Sequence, residues 1–297
     1  MASQQRAFLG ASALLFTTSA AVTIAWCGSM SAMGGMPMPG GWTMPMSWMR
    51  MPGQTWPGAA ASFLGMWTVM MVAMMLPSLV PTLWRYREAV GTGGDACLSG
   101  SAGCSGSRSE ACIGSRNGSY LGGRIDQLTA LVGAGYFTVW TALGLIAFVL
   151  GVAVANVEMQ QPALASAVPL LAGGAVLAAG ILQLTKWKAR QLACCREAPQ
   201  LIGALRKDRD NDLAFPADSG TAWRHGLRLG LRCCYCCAGL TTILLILGVM
   251  DLRTMAIVTT AITAERLAPG GERVARAIGI AVVGVGLFLV ARAVMPA

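Results

Sequence analysis

Charged residues are scarce in this chain of 297 residues. Asp, Glu, Lys and Arg together make up 12% of it, whereas hydrophobic residues make up 55% and the mean hydropathy is +0.59. Because about a quarter of the residues in a soluble domain are charged, this composition excludes an ordinary soluble domain. It predicts an integral membrane protein surrounded by the lipid bilayer.

Catalytic signatures are missing as well. The sequence contains no nucleophile elbow, no phosphate-binding glycine motif and no Glu-x-x-His arrangement of carboxylate ligands. We therefore expect no enzymatic activity, and we look for function in binding.

Seven apolar stretches are candidate transmembrane helices, because roughly 20 residues are needed to cross the bilayer. They are residues 8–26, 59–82, 128–154, 163–185, 225–249, 252–268 and 274–294. The sixth is short and ends in Glu265 and Arg266, so we expect it to tilt or to cross only part of the bilayer. The predicted fold is an all-α, polytopic transmembrane bundle of about seven spans.

The basic residues fix the predicted orientation. They concentrate in the Gly/Ser-rich segment 91–124 and in the basic segment 186–222, which the positive-inside rule assigns to the cytoplasm. The N-terminus is then inside, and the membrane is the bacterial cytoplasmic (inner) membrane. The net charge of +9 reflects this topology, so we expect no nucleic-acid partner. The ten cysteines lie mainly on the predicted cytoplasmic side or in the membrane. Because disulfides are rare in the cytoplasm, we do not expect a disulfide framework.

Three parts follow from this topology. Residues 1–26 form a first transmembrane helix, which could act as a signal anchor; a cleaved signal peptide is the alternative. Residues 27–57 form an extracytoplasmic loop. Residues 58–297 form the helical membrane domain.

Methionine is concentrated in the outer loop. Eight methionines lie between Met30 and Met51, in a segment whose glycines and prolines rule out a continuous helix. Thioether sulfur selects soft ions such as Cu(I), so we predict a loop that collects copper. Its candidate ligands are Met36, Met38, Met44 and Met46. The alternative is an adaptable docking surface for an extracytoplasmic copper protein or a larger membrane complex.

The second stretch repeats methionine at helical spacing. Its stripe consists of Met66, Met70 and Met74, with Met71 and Met75 beside it. Residues four apart share a helix face, so these thioethers form a ladder. We predict that Met70, Met71, Met74 and Met75 serve as soft ligands near the middle of the membrane, with ordinary packing as the alternative. Pro77 predicts a kink just after the ladder.

The fifth stretch carries four thiols within five residues. Cys233, Cys236 and Cys237 share one helix face through spacings of three and four, and Cys234 lies to the side. We predict that the three thiols on one face bind a soft metal at the depth of the methionine ladder. The alternative is that cysteine serves here as a small residue for close helix packing.

Further candidates flank this group. His225, the only histidine, is a candidate transfer ligand near the inner end of the fifth stretch. Arg232 lies deep in the same stretch, so we expect it to meet Glu265 or a water-filled cavity. Cys194 and Cys195 follow the fourth stretch beside arginine, which predicts thiolate character and either metal capture or thiol redox exchange. A plain helix at the membrane boundary is the alternative.

Several segments, in order, resemble a bacterial family of uncharacterised, predicted metal-binding integral membrane proteins. The matching pieces are residues 67–81, Gly135-Tyr136 with Trp140, residues 183–199, residues 225–250, Met255 and residues 265–269. The resemblance implies a helical membrane domain and metal binding. The chain departs from the family at Ala238, where an aromatic residue is expected, and in its methionine-rich outer loop.

These observations lead to two main hypotheses. In the first, the protein binds Cu(I) through methionine and cysteine and serves in its uptake, storage or delivery. In the second, it is an accessory or structural subunit of a larger membrane complex, with residues 27–57 as the docking surface.

Overall fold

The fold is an all-α polytopic bundle. A computed structural model describes residues 2–32, 34–38, 42–45, 48, 50, 53–98, 118–207 and 218–295. Its helices are α1 (Ala2–Ala32), α2 (Trp56–Leu98), α3 (Gly118–Gln160), α4 (Pro162–Leu184), α5 (Lys186–Lys207), α6 (Ser219–Leu247), α7 (Leu252–Leu267) and α8 (Gly271–Val294). The predicted fold class is therefore confirmed.

Among the described residues, six helices are long and apolar enough to cross a membrane: they lie within α1, α2, α3, α4, α6 and α8. The sixth predicted span is α7, which has only 16 residues. It begins at the N-cap Asp251 and ends before the Ala268-Pro269 pair, because proline disfavours a helical residue before it.

Helices α2 and α6 occupy the centre of the bundle. Of the most apolar 18-residue window in each candidate span, 56% is buried in α2 and 50% in α6, against 11% to 28% in the others. These are the two helices that carry the methionine ladder and the group of four thiols. The helices that carry the sulfur-rich sequences are therefore the most buried of the candidate spans.

Glycine lets α3 and α6 approach closely. A Cβ atom added to Gly135 would lie 2.7 Å from the carbonyl oxygen of Trp223, and one added to Gly230 would lie 2.9 Å from that of Tyr136. Both contacts are too short for any residue with a side chain. This crossing holds Tyr136 of α3 directly against the thiol-bearing face of α6.

Two hydrogen-bonded contacts fix α2 on the other side of α3. The indole of Trp67 donates to the carbonyl of Trp140 at 2.8 Å, and the hydroxyls of Thr68 and Thr141 lie 3.1 Å apart. Each satisfies a polar group inside an apolar bundle, where an unpaired group is costly. Helix α3 therefore positions both sulfur-bearing helices.

The methionine-rich segment between α1 and α2 contains a β-hairpin. Strands β1 (Gly35–Met38) and β2 (Trp42–Pro45) pair antiparallel, with Met36 opposite Met44 and Met38 opposite Trp42. The prediction that this segment is not a continuous helix is confirmed. The indole of Trp42 donates to the carbonyl of Ala165 at 2.9 Å, which attaches the hairpin to the start of α4.

Candidate metal centre

Four thiols meet between α5 and α6. We call Cys195, Cys233, Cys236 and Cys237 the thiol cluster; all four are buried, with at most 6% of each residue exposed. Three of them come from one face of α6, as the spacing predicts. The fourth comes from α5, which folds back along α6 after the turn at Thr185.

The four thiols lie close together. The sulfurs of Cys233 and Cys237 lie 3.8 Å apart. Cys195 donates to the carbonyl of Arg232 at 3.2 Å, which brings α5 against the same part of α6, and it lies within electrostatic range of Cys233 and Cys236. All four cysteines are free. The cluster is therefore a closely spaced set of soft donors.

One end of the cluster meets two polar side chains. The hydroxyl of Tyr136 donates to the Cys233 sulfur at 2.9 Å. Nη1 of Arg266 lies 3.3 Å from the same sulfur and 2.9 Å from Oγ of Ser78. Hydrogen bonds from these donors favour the thiolate form of Cys233, which is the form that binds metal.

The other end meets a buried ion pair. Nζ of Lys188 lies 2.8 Å from Oε2 of Glu265 and donates to the carbonyl of Cys236 at 2.6 Å. Gln183 donates to the other carboxylate oxygen. Only 3% of the Lys188 side chain and 2% of the Glu265 side chain are exposed. Helices α4, α5, α6 and α7 are thus tied together at the cluster.

The methionine ladder is buried beside these groups. Met66, Met70, Met71, Met74 and Met75 are each at most 4% exposed and belong to the same apolar core as the thiols. Helix α2 reaches the cluster through Ser78, which accepts from Arg266, and touches α6 where Tyr86 stacks on His225. The two sulfur groups therefore share one core, whereas ligation by the methionines stays a prediction.

The hairpin gathers methionines on one face. Opposed residues of an antiparallel pair point to the same side, and so do residues two apart, so Met36, Met38, Met44 and Trp42 share a face. Met44 is 1% exposed and Met36 is 38% exposed. Met46 lies outside the described residues. Three of the four predicted outer ligands are thus adjacent, and their metal binding stays a prediction.

Two flanking elements differ in part from what the sequence predicts. Arg232 was expected to meet Glu265 or a water-filled cavity; its side chain is exposed and Lys188 is the partner of Glu265, so the first alternative is wrong and the second stays a prediction. Cys194 is exposed, whereas Cys195 turns inward. The hydrogen bond with Cys236 and burial raise the pKa of the Cys195 thiol, so the predicted thiolate character is wrong for that residue.

His225 lies away from the thiols and stacks on Tyr86, with the ring centres 5.5 Å apart. Its role as a transfer ligand stays a prediction.

Sequence reasoning missed most of the polar groups at the cluster. Tyr136, Lys188 and Arg266 all fall in segments that carry the family resemblance, but none had been assigned to the site. A buried charge is the signal that could have found Lys188 and Arg266, since charges deep in a membrane domain require partners. Their partners come from other helices, and this pairing is visible only in the fold.

The described part of the chain contains no group of three or more His, Cys, Asp or Glu residues arranged to hold a metal ion. Two of the sulfurs are nevertheless close enough to share one ion. With the zinc–sulfur bond of about 2.3 Å as a guide, two sulfurs on one tetrahedral ion lie roughly 4 Å apart. The Cys233 and Cys237 sulfurs, at 3.8 Å, fit this requirement.

A family model described as a copper chaperone matches residues 64–106 and 109–289. The chain belongs to this copper chaperone family. The match supports the metal-related part of the resemblance, as a copper family, but not its label as an uncharacterised group. The match includes the methionine ladder and the thiol cluster and begins after the hairpin. No curated protein and no solved structure matches the chain.

Proposed function

We propose that this copper chaperone carries Cu(I) as cargo in the membrane, bound by thiolates of the thiol cluster. The observation that carries the proposal is the buried pair of sulfurs of Cys233 and Cys237, 3.8 Å apart on α6, with Cys236 and Cys195 buried beside it. Thiolate and thioether sulfur are the donors that select Cu(I) over harder ions. Burial among apolar helices excludes water, which would otherwise compete for the ion and admit oxidants.

The Cys233 and Cys237 pair is the proposed primary site. The two sulfurs are separated by a distance that suits one shared ion, and Tyr136 and Arg266 stabilise the charge that develops when the thiols lose their protons. Met70, Met71, Met74 and Met75 are proposed as weaker soft donors beside them. A thioether holds Cu(I) less tightly than a thiolate, so it can pass an ion on.

We propose that the hairpin methionines receive the ion first. Met36, Met38 and Met44 lie on one face of the hairpin, and the positive-inside rule assigns this end of the protein to the extracytoplasmic side of the bacterial cytoplasmic membrane. Weak outer thioethers followed by stronger inner thiolates would favour movement of the ion inward. The exposed Met36 is also the proposed contact for an extracytoplasmic copper protein or membrane complex.

Copper titration of the purified protein tests the proposal. Cu(I) should bind wild-type protein in competition with a chelator, and Cys233→Ser and Cys237→Ser should each weaken binding by about tenfold or more, because each removes one of few strong ligands. Cys234→Ser is the matched control, since this thiol lies on the same helix but is half-buried and off the shared face. Equal affinity and stoichiometry in all four proteins would reject the site.

The partner interaction needs a separate experiment. Met36→Ser and the control Thr43→Ser lie on opposite faces of the hairpin. If the methionine face docks a partner, affinity purification from membranes after crosslinking should lose that partner with Met36→Ser and keep it with Thr43→Ser. Equal recovery with both variants would count against docking through this face.

A further inference from the structure

The thiol cluster is surrounded by a fixed set of buried charges. Arg266 and Lys188 each carry one positive charge and Glu265 carries one negative charge. Lys188 and Glu265 form an ion pair and cancel each other. The half-buried Arg196 donates to the carbonyl of Ala268 at 2.6 Å and so compensates the negative end of α7. Among the charges of the described residues at the cluster, the positive charge of Arg266 is the one left facing the thiols.

Arg266 is held against the site by its contacts. It is 8% exposed, and the same nitrogen lies near the Cys233 sulfur and the Ser78 hydroxyl. Its guanidinium also lies within electrostatic range of Cys237 and Cys195. No carboxylate among the described residues forms a salt bridge with it. An arginine side chain stays charged at any accessible pH, so this charge is permanent.

From this arrangement we infer that Arg266 makes the centre selective for a monovalent soft cation. Two thiolates and one monovalent ion carry a net charge of minus one, which Arg266 balances to zero. Two thiolates and a divalent ion are already neutral, so Arg266 would leave a net positive charge. A net charge is costly inside a membrane domain, and the monovalent complex is therefore favoured.

This inference rests on the proposed function, because it needs Cys233 and Cys237 to be the ligands. It adds a reason for ion selectivity that ligand softness does not provide. Softness favours Cu(I) and Ag(I), but it also admits thiophilic divalent ions such as Cd(II). Net charge distinguishes the soft monovalent ions from the soft divalent ions.

Two pairs of variants test the role of charge. Ser78→Asp places a carboxylate against Arg266 and cancels its charge while keeping its packing, and Ser78→Asn is the uncharged match. Arg266→Gln removes the charge, and Arg266→Lys keeps it. Arg276→Gln, at an exposed arginine of α8, is the control for loss of a distant charge.

The measurement is the ratio of Ag(I) to Cd(II) affinity of the full-length protein in detergent, by competition with chelators. Relative to wild type, Ser78→Asp and Arg266→Gln should shift this ratio at least about tenfold toward Cd(II), the effect of one nearby charge at a buried site. Ser78→Asn, Arg266→Lys and Arg276→Gln should leave it within about threefold. If Arg266 served only to hold the structure together, its replacement would weaken the binding of Ag(I) and of Cd(II) to the same extent.

The experiment distinguishes failure of the inference about Arg266 from failure of the proposed function. If wild-type protein binds Ag(I) through Cys233 and Cys237, but the ratio is unchanged in Ser78→Asp and Arg266→Gln, the role of Arg266 is overturned and the proposed function stands. If Ag(I) binding does not depend on these cysteines, the proposed function fails and the inference fails with it. Should Arg266→Gln not fold, the Ser78 pair decides alone.

Discussion

Replacement of Lys188 should lower the free energy of unfolding far more than replacement of an exposed lysine or arginine. In Lys188→Met, Glu265 keeps its negative charge at 2% exposure and loses its cation. The remaining partner of the carboxylate is Gln183, which is neutral. Breaking a buried pair on one side typically costs about 3 to 5 kcal/mol, because an uncompensated charge stays in an apolar interior.

The double variant Lys188→Met/Glu265→Gln should recover most of this loss. No charge remains, and the new amide can still accept from Gln183. What is lost is the hydrogen bond from Lys188 to the carbonyl of Cys236, worth about 1 kcal/mol. The double variant should therefore cost much less than the sum of the single variants, with a coupling of several kcal/mol.

Unfolding in mixed detergent micelles, with increasing SDS, measures these differences. The control is the Glu272 and Arg276 pair, whose charged atoms are 4.0 Å apart at the surface of α8. Arg276→Met should cost less than about 1 kcal/mol, as exposed pairs do. If Lys188→Met costs no more than Arg276→Met, or if the single effects simply add, the buried ion pair does not stabilise the bundle as described.

Three further predictions concern the helix packing, the hairpin and the cap of α7. Gly226→Ala should destabilise the contact of α6 with α3 by about 1 to 3 kcal/mol through overpacking. Gly133→Ala, which has open space around it, should not, and thermal unfolding separates the two. Trp42→Phe should loosen the hairpin by about 1 kcal/mol through loss of the bond to Ala165, seen as faster hydrogen exchange in residues 35–45. Asp251→Ala should cost about 1 kcal/mol and Asp251→Asn less, because both Asp and Asn cap helices. Hydrogen bonds from Thr254 lower the pKa of Asp251, so the stabilisation by its carboxylate is complete above the usual aspartate value and disappears as the pH falls through the lowered pKa; Asp251→Ala should lack this acid-dependent step in an unfolding series.

Much of the fold could be predicted because membrane helices are encoded locally. A run of apolar residues specifies a span without reference to the rest of the chain, and helical spacing alone placed Cys233, Cys236 and Cys237 on one face. Length also explains why the sixth predicted stretch is not among the candidate spans of the described residues. Residues 252–268 are apolar enough to suggest a helix, but α7 is too short for a full crossing.

The composition of the site could not be predicted in the same way. Cys195 joins the cluster only because α5 turns back along α6 after Thr185, and Arg266 reaches Cys233 only because α7 packs between α2 and α6. These two pairings join residues 37 and 33 positions apart, and the contact of Arg266 with Ser78 joins residues 188 positions apart. Local periodicity carries no information about them. The error over Arg232 has the same origin, since depth along one helix does not tell which side of it faces the protein.

The short length of α7 also affects how the protein meets its bilayer. At a rise of 1.5 Å per residue its 16 residues extend about 24 Å, less than the roughly 30 Å of hydrocarbon. Its charged end, Glu265 and Arg266, is received by side chains of the protein rather than by lipid headgroups. Salt and headgroup charge should therefore have little influence on the centre, because buried charges are weakly screened. Acyl-chain length should influence the centre more strongly. A change in bilayer thickness acts on the full-length helices around α7, while the charged end of α7 stays fixed inside the protein.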